Sequence, residues 1–323
     1  MEHSYLDLIR IKRNWVNLLL LIFIVFFISC GHSGEKTSSK LDTGIIPSEY
    51  CEELVKLAND GNSEAQYNLG IALAQGKGVT KDLHEGIKWL SKSAEQGFAD
   101  AQFALGVCYN HGDGVNVDKK RAVELIRQAS DQNLPGAQNL LGLMYSNGDG
   151  VPLDVKEALR LFTMSAETGY APGQYNLGVC YDQGLGVEQN TEEALRWMRK
   201  SANQGYSDAQ YYVGSYYYDK QRYYEAVDYF GKAAEQGYQQ ALLLLGVCYK
   251  NGQGTSQDYQ KAVKYFKQLV DQGYTPAFYQ LGMCYYDGLG VDQNQQKAIE
   301  LYRRAAKDGF RLAIDELKRL NIN

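Results

Sequence analysis

The 323 residues include 33 basic and 38 acidic side chains, for a net charge of −5 at pH 7. No basic stripe is left to neutralise a phosphate backbone, which argues against nucleic acid as a partner. Hydrophobic content of 45% is ordinary for a folded soluble protein, and the four histidines are too scattered to form a metal site.

At the N-terminus, Arg10, Lys12 and Arg13 precede Leu18–Ile28, an unbroken apolar run of 11 residues. That is about half of what a bilayer-spanning helix needs, and it fits the apolar centre of a secretory signal. Phe27-Ile28-Ser29-Cys30 resembles a bacterial lipobox, which implies that residues 1–29 are a signal peptide and that Cys30 is lipidated. An ordinary cleaved signal and a short uncleaved anchor are the alternatives, and all three readings place the remainder outside the cytoplasm. Without residues 1–29 the chain has 30 basic and 36 acidic residues, a net charge of −6. Residues 30–48 are polar and rich in Ser, Thr, Gly and Lys, so they read as a flexible tether spanning roughly 23 Å. Residues 49–64 contain Leu54, Leu57 and Ala58 before Gly61. This helical pattern returns in every later unit and here reads as an N-terminal half-repeat or cap.

From Ala65 onward the chain repeats itself. Ala65, Ala101, Ala137, Gly173, Ala209, Ala241, Ala277 and Ala313 are 36 residues apart at every step except one of 32. A fixed period in this range is the signature of a solenoid, which needs no globular domain boundary. Within a unit, Ala101, Leu105, Gly106 and Tyr109 mark one helical face, and Ala122, Leu125, Ile126 and Ala129 mark a second. Two antiparallel helices per unit follow, with Gly106 and Ala122 small where they would otherwise clash.

Between the helices, five units read G-x-G-V, as in Gly112-Asp113-Gly114-Val115. The first Gly suits a left-handed helix C-cap. Asp82, Asp118, Asp154, Asn190, Asp258 and Asn294 stand where an N-cap of the second helix belongs. Glu85, Glu157 and Glu193 follow at the spacing of a capping box. Second helices end at Gly97, Gly169, Gly205, Gly237, Gly273 and Gly309, with Asn133 in the remaining unit. The unit Ala209–Gln240 lacks both the G-x-G-V loop and the Asp/Asn cap.

This pattern resembles the Sel-one-like repeat, a relative of the tetratricopeptide repeat. The resemblance implies an all-α fold, a right-handed α-α solenoid of helix-turn-helix repeats. Seven repeats occupy 65–312, and residues 313–323 are expected to form a C-terminal capping helix. Family members commonly act as assembly scaffolds, some of them lipoproteins of the envelope.

Cys108, Cys180, Cys248 and Cys284 share one place in the repeat. Equivalent sites in adjacent repeats lie about 8–10 Å apart, too far for a disulfide, so the four are expected to be small buried hydrophobes. Ser33-Gly34-Glu35-Lys36 spells the S-x-x-K of penicillin-reactive enzymes but sits in the tether. The G-x-G loops follow a helix instead of a strand and read as turns, not phosphate cradles. Asn147-Gly148-Asp149 with Asp154 lacks the spacing and terminal Glu of a calcium loop. His84 and His111 lack partners for a metal site. No nucleophile, base and oxyanion hole come together, so neither a catalytic site nor a cofactor is expected.

What remains is surface. The resemblance implies that first helices line a concave groove, with their third and tenth positions and some neighbours facing inward. Those residues are Phe103, Asn110, His111, Tyr175, Asn176, Asp182, Tyr211, Tyr212, Tyr218, Tyr279 and Tyr286. Tyr, Asn and Asp suit a peptide-binding groove, although several tyrosines could instead pack between repeats. Tyr216, Tyr217, Tyr218, Tyr223 and Tyr224 either patch the shortened turn of the fifth repeat or mark a recognition site. The favoured reading is a non-catalytic, membrane-tethered scaffold binding a protein or peptide in the cell envelope. The alternative is a cell-wall-directed protein that binds muropeptides or hydrolyses β-lactams.

Overall fold

The computed structural model describes residues 48–322, all of its regular structure α-helical. The helices are α1 (Ser48–Asn59), α2 (Ser63–Gln75), α3 (Leu83–Glu95), α4 (Ala99–His111), α5 (Lys119–Asp131), α6 (Pro135–Asn147), α7 (Val155–Glu167) and α8 (Ala171–Gln183). They continue as α9 (Thr191–Asn203), α10 (Ser207–Asp219), α11 (Tyr223–Glu235), α12 (Gln239–Asn251), α13 (Tyr259–Asp271), α14 (Thr275–Asp287), α15 (Gln295–Lys307) and α16 (Arg311–Arg319). Repeats one to seven are the pairs α2–α3 through α14–α15, an all-α solenoid. The signal, the lipidation site and the tether expected from the sequence lie outside the described residues. Among the described residues no helix is long and apolar enough to cross a membrane.

Contacts divide the chain into two units at Leu125/Ile126, inside α5. In the first, α1 packs on α2, α2 on α3 and α3 on α4. Leu54, Ala58, Ala65 and Leu69 form one core cluster, and Ile87, Leu90, Ala94, Ala101, Ala104 and Leu105 contribute to the next. Leu57 departs from the sequence expectation. It is 44% exposed: among the described residues α1 packs on α2 alone and buries Leu54 and Ala58 there. In the second unit each helix from α6 packs on its successor through to α16. Ala313 and Leu317 of α16 are buried, while Arg311, Asp315, Lys318 and Arg319 are exposed.

In repeats one and three to seven the glycine of the first helix receives a large side chain from the second. A Cβ on Gly142 would lie 2.7 Å from Phe162, on Gly246 2.6 Å from Phe266, and on Gly282 2.5 Å from Tyr302. Only a missing side chain permits that approach, because the three rings are themselves buried and closely packed.

The connecting loops follow the same logic. Gly112 takes φ 85° as the C-cap of α4, and its N–H donates to the Cys108 carbonyl at 2.8 Å. The second Gly of the motif is needed too. Gly290 has φ 71°, and a Cβ there would come within 2.5 Å of the Tyr259 backbone, where α13 of the preceding repeat begins. The N-caps form as expected: Asp82 accepts from the Glu85 N–H, and Asp154 and Asn190 each accept from two first-turn N–H groups. The reciprocal half of the capping box is not made. The cap N–H groups of Asp82, Asp154 and Asn190 already donate to the carbonyls of Leu73, Tyr145 and Tyr181. Glu85, Glu157 and Glu193 therefore turn to Lys88, Arg160 and Arg196 one turn on. In repeat five both helices keep 13 residues, so the whole shortening falls in the loop. Gln221 there takes φ 58°, a left-handed position filled without glycine.

Candidate partner-binding surface

The expected site residues are held by two kinds of contact between repeats. The first is aromatic. Tyr175 packs against Tyr206 (ring centroids 5.3 Å apart), Tyr211 stacks on Tyr238 (5.0 Å), and Tyr279 meets both Tyr302 and Phe310 (5.7 Å each). In the first unit Tyr67 and Phe98 make the equivalent pair at 5.4 Å. Apart from Tyr302, which belongs to the second helix of the same repeat, the partner ring comes from the residue that follows the closing glycine of the second helix. That residue is aromatic in six repeats: Phe98, Tyr170, Tyr206, Tyr238, Tyr274 and Phe310. The periodicity was legible in the sequence, but its pairing with the third position of the first helix was not. The two are 27 to 31 residues apart and meet only when helices stack.

The second kind of contact is polar and joins successive first helices of the second unit. Asn176 donates to Asn139 at 2.8 Å, bridging α8 to α6. The Tyr212 hydroxyl donates to the Asp182 carboxylate at 2.5 Å, bridging α10 to α8. Tyr218 donates to Gln253, just past the end of α12, at 3.0 Å, and Lys250 of α12 donates to Gln280 of α14 at 2.8 Å. Every neighbouring pair from repeat three to repeat seven thus has at least one side-chain bridge. Asn139, Gln253, Lys250 and Gln280 are not singled out by the sequence pattern, because the position that one helix offers to the next is set only by the stacking. It is ten to four for Asp182–Tyr212 and Lys250–Gln280, three to four for Asn139–Asn176, and ten to the following loop for Tyr218–Gln253.

The other expected residues are placed individually. Phe103 and His111 are half-buried in the first unit, and Asn110 is buried, accepting from Lys119 at 2.8 Å with His111 Nε2 3.4 Å from its Nδ2. The Tyr286 carbonyl accepts from Gln293 at 2.8 Å, and its side chain interacts electrostatically with Arg319 of α16. In repeat five Tyr218 contacts Tyr223 edge-on at 5.1 Å, across the shortened turn, and Tyr217 lies between Tyr216 and Tyr229 at 5.8 Å from each. The Arg199 and Arg222 guanidiniums cover Tyr217 at 5.4 and 4.7 Å. Tyr224 stands apart, 79% exposed.

The four repeat cysteines are not activated nucleophiles. Cys108, Cys180, Cys248 and Cys284 are free thiols. Burial pushes the first three up to about 12 and Cys284 up to about 11. Such thiols are packing groups.

The Sel1 repeat model matches residues 63–98, 99–134, 135–170, 171–206, 207–238, 239–274 and 276–310. No curated protein matches the chain. Among solved structures, a protective antigen of uropathogenic Escherichia coli displaying an SLR fold is 33% identical with a TM-score of 0.73. The alignment covers 83% of this chain but only 58% of the antigen's length. A Sel1 repeat protein from Oxalobacter formigenes is also 33% identical, with a TM-score of 0.63, over 86% of this chain and 83% of that one. Sel1 repeat proteins generally mediate protein–protein interaction, and the scaffold is typically non-catalytic. With seven tandem matches spanning more than half of its length, the chain belongs to the Sel1 repeat family.

Proposed function

We propose that the protein is a non-catalytic scaffold, tethered to a membrane in the cell envelope, that binds a protein or peptide along the inner face of its first helices. The observation that carries the reading is the strip of bridged polar and aromatic side chains running through α6, α8, α10, α12 and α14. Side chains already held by their neighbours lose little freedom when a partner arrives, so more of the contact energy appears as affinity. Half-buried tyrosines with hydrogen-bonding rims are also the residue type that anchors interfaces. The envelope location rests on the apolar run before Cys30, with the lipid at Cys30 as the tether.

Capture from envelope extract with mass spectrometry would name the partner, and direct binding then tests the surface. Tyr212→Ala with Tyr286→Ala should weaken binding at least tenfold while circular dichroism stays helical. Lys264→Ala, exposed on α13, should leave affinity unchanged. Full affinity in the double variant sinks the proposal. For the tether, Cys30→Ala should release the protein from the membrane fraction; unchanged processing and fractionation would refute lipidation.

A further inference from the structure

A carboxylate ringed by tyrosines at the start of α10 is explained neither by the polar strip nor by the packing of repeats. Asp208 lies in the first turn of α10, partly buried, with the Tyr238 hydroxyl 3.4 Å from its Oδ1. The pairs Tyr175–Tyr206 and Tyr211–Tyr238 stand beside it, at ring separations of 5.3 and 5.0 Å. Their polar ends crowd together: Asp208, Tyr175 and Tyr170 all oppose ionisation of Tyr206, and Asp208, Tyr175 and Tyr211 oppose that of Tyr238. Burial raises the Asp208 carboxyl above the usual carboxylate range, partly offset by the Tyr238 hydroxyl and by its own backbone N–H.

The repeat does not require an acid here. Glu64 and Asp100 stand in this register in the first unit, but in the second unit it holds Gly136, Pro172, Gln240 and Pro276, and the helices start equally well. Among the described residues no Lys or Arg pairs with Asp208, although exposed ion pairs are common elsewhere on the second unit. A carboxylate partly removed from water without a counter-ion is unfavourable, whereas tyrosine faces and a nearby negative charge both attract a cation.

We infer that the tyrosine cluster around Asp208 receives one basic side chain, an ammonium or guanidinium, presented by the bound protein or peptide. The rings would flank the cation and its methylene stem, and the carboxylate would neutralise its charge. The same carboxylate would turn away acidic segments, so the site would select as well as hold. That the cation belongs to a partner chain rests on the proposed function; the affinity of the site for a cation does not.

The test titrates the full-length chain with acetyl-Gly-Lys-Gly-amide, its arginine counterpart and a norleucine counterpart of the same shape without charge. Ring signals of ¹³C-tyrosine-labelled protein report occupancy. The two basic peptides should give saturable shifts at Tyr175, Tyr206, Tyr211 and Tyr238, and the norleucine peptide should not. Asp208→Asn should weaken both basic peptides at least tenfold without lowering the melting temperature, since it removes a poorly solvated charge. Equal shifts from norleucine, undiminished binding in Asp208→Asn, or no ring shift with either basic peptide each overturn the inference. The norleucine comparison needs no variant, so it decides the matter even if Asp208→Asn folds poorly. These outcomes are independent of the Tyr212/Tyr286 variant, whose undiminished affinity would remove the polar strip and leave the cation site standing.

Discussion

Thr168→Gln should stabilise the protein, because repeat three lacks one member of a glutamine pair that repeats one, four and five complete. In repeats one, four and five, the buried glutamine of the first helix accepts from a second glutamine at the end of the second helix. Gln96 donates to Gln66 at 2.7 Å, Gln204 to Gln174 at 2.8 Å and Gln236 to Gln210 at 2.8 Å. Repeat three places Thr168 at that end, and its hydroxyl donates instead to the Ser165 carbonyl at 2.7 Å. Gln138 is left 1% exposed with no partner for its Oε1. The backbone is already suitable: Thr168 sits at φ −70°, ψ −9°, close to the φ −79° to −87° of Gln96, Gln204 and Gln236. Leaving a buried acceptor unsatisfied costs about 1–3 kcal/mol, and a new neutral hydrogen bond contributes about 1 kcal/mol net. Ordering the longer side chain and losing the part-buried threonine bond offset part of this, leaving a gain of about 1 kcal/mol. A repeat array need not unfold in one step, so the suitable assay is native-state hydrogen exchange across α6 and α7. Protection there should rise about fivefold. The reasoning is refuted if protection is unchanged, or if the same gain appears in a Gln138→Met background, where no acceptor remains.

Gly246→Ala should destabilise by about 1–2 kcal/mol in urea, since its Cβ would lie 2.6 Å from the fully buried Phe266 ring and any gain in helix propensity is smaller than the overpacking penalty. Gly231→Ala in α11, where no atom lies within 4 Å of the added Cβ, should stabilise by about 0.5–1 kcal/mol; two changes of the same sign would refute the packing account. The raised thiol pKa values make Cys108, Cys180, Cys248 and Cys284 almost wholly protonated at pH 8, where an ordinary cysteine ionises appreciably. Iodoacetamide labelling of those four, read by peptide mass, should be at least a hundredfold slower in native than in urea-unfolded protein, and equal rates would show that they are accessible thiolates.

The helix pairs, their caps and their small contact positions were legible because each depends on residues close together in sequence. Asp154 caps α7 through N–H groups two and three residues ahead, and Gly112 ends α4 through a bond to Cys108. Local geometry of this kind repeats wherever the residues repeat, so a 36-residue period read from eight aligned positions carried the fold class. Glu85, Glu157 and Glu193 show where such reasoning fails even over a short range. Their capping-box role required free cap N–H groups, and those had been taken by carbonyls nine residues back, across the loop.

The candidate surface was legible as a set of residues but not as a set of partnerships. Sequence alone determined that Tyr, Asn and Asp recur at chosen positions of the first helices, and that the fifth loop is short. Stacking decided that Tyr175, Tyr211 and Tyr279 meet the rings that open the next repeat, while Asn176, Asp182, Tyr212 and Tyr218 bridge neighbouring helices. It also brought Tyr206 and Tyr238 to Asp208, each with a second tyrosine packed on its ring. The reason is geometric. A helix sets its own residues at 3.6 per turn, but the rotation and separation of one helix pair against the next depend on all the side chains between them, and only the packed structure adds those contributions together.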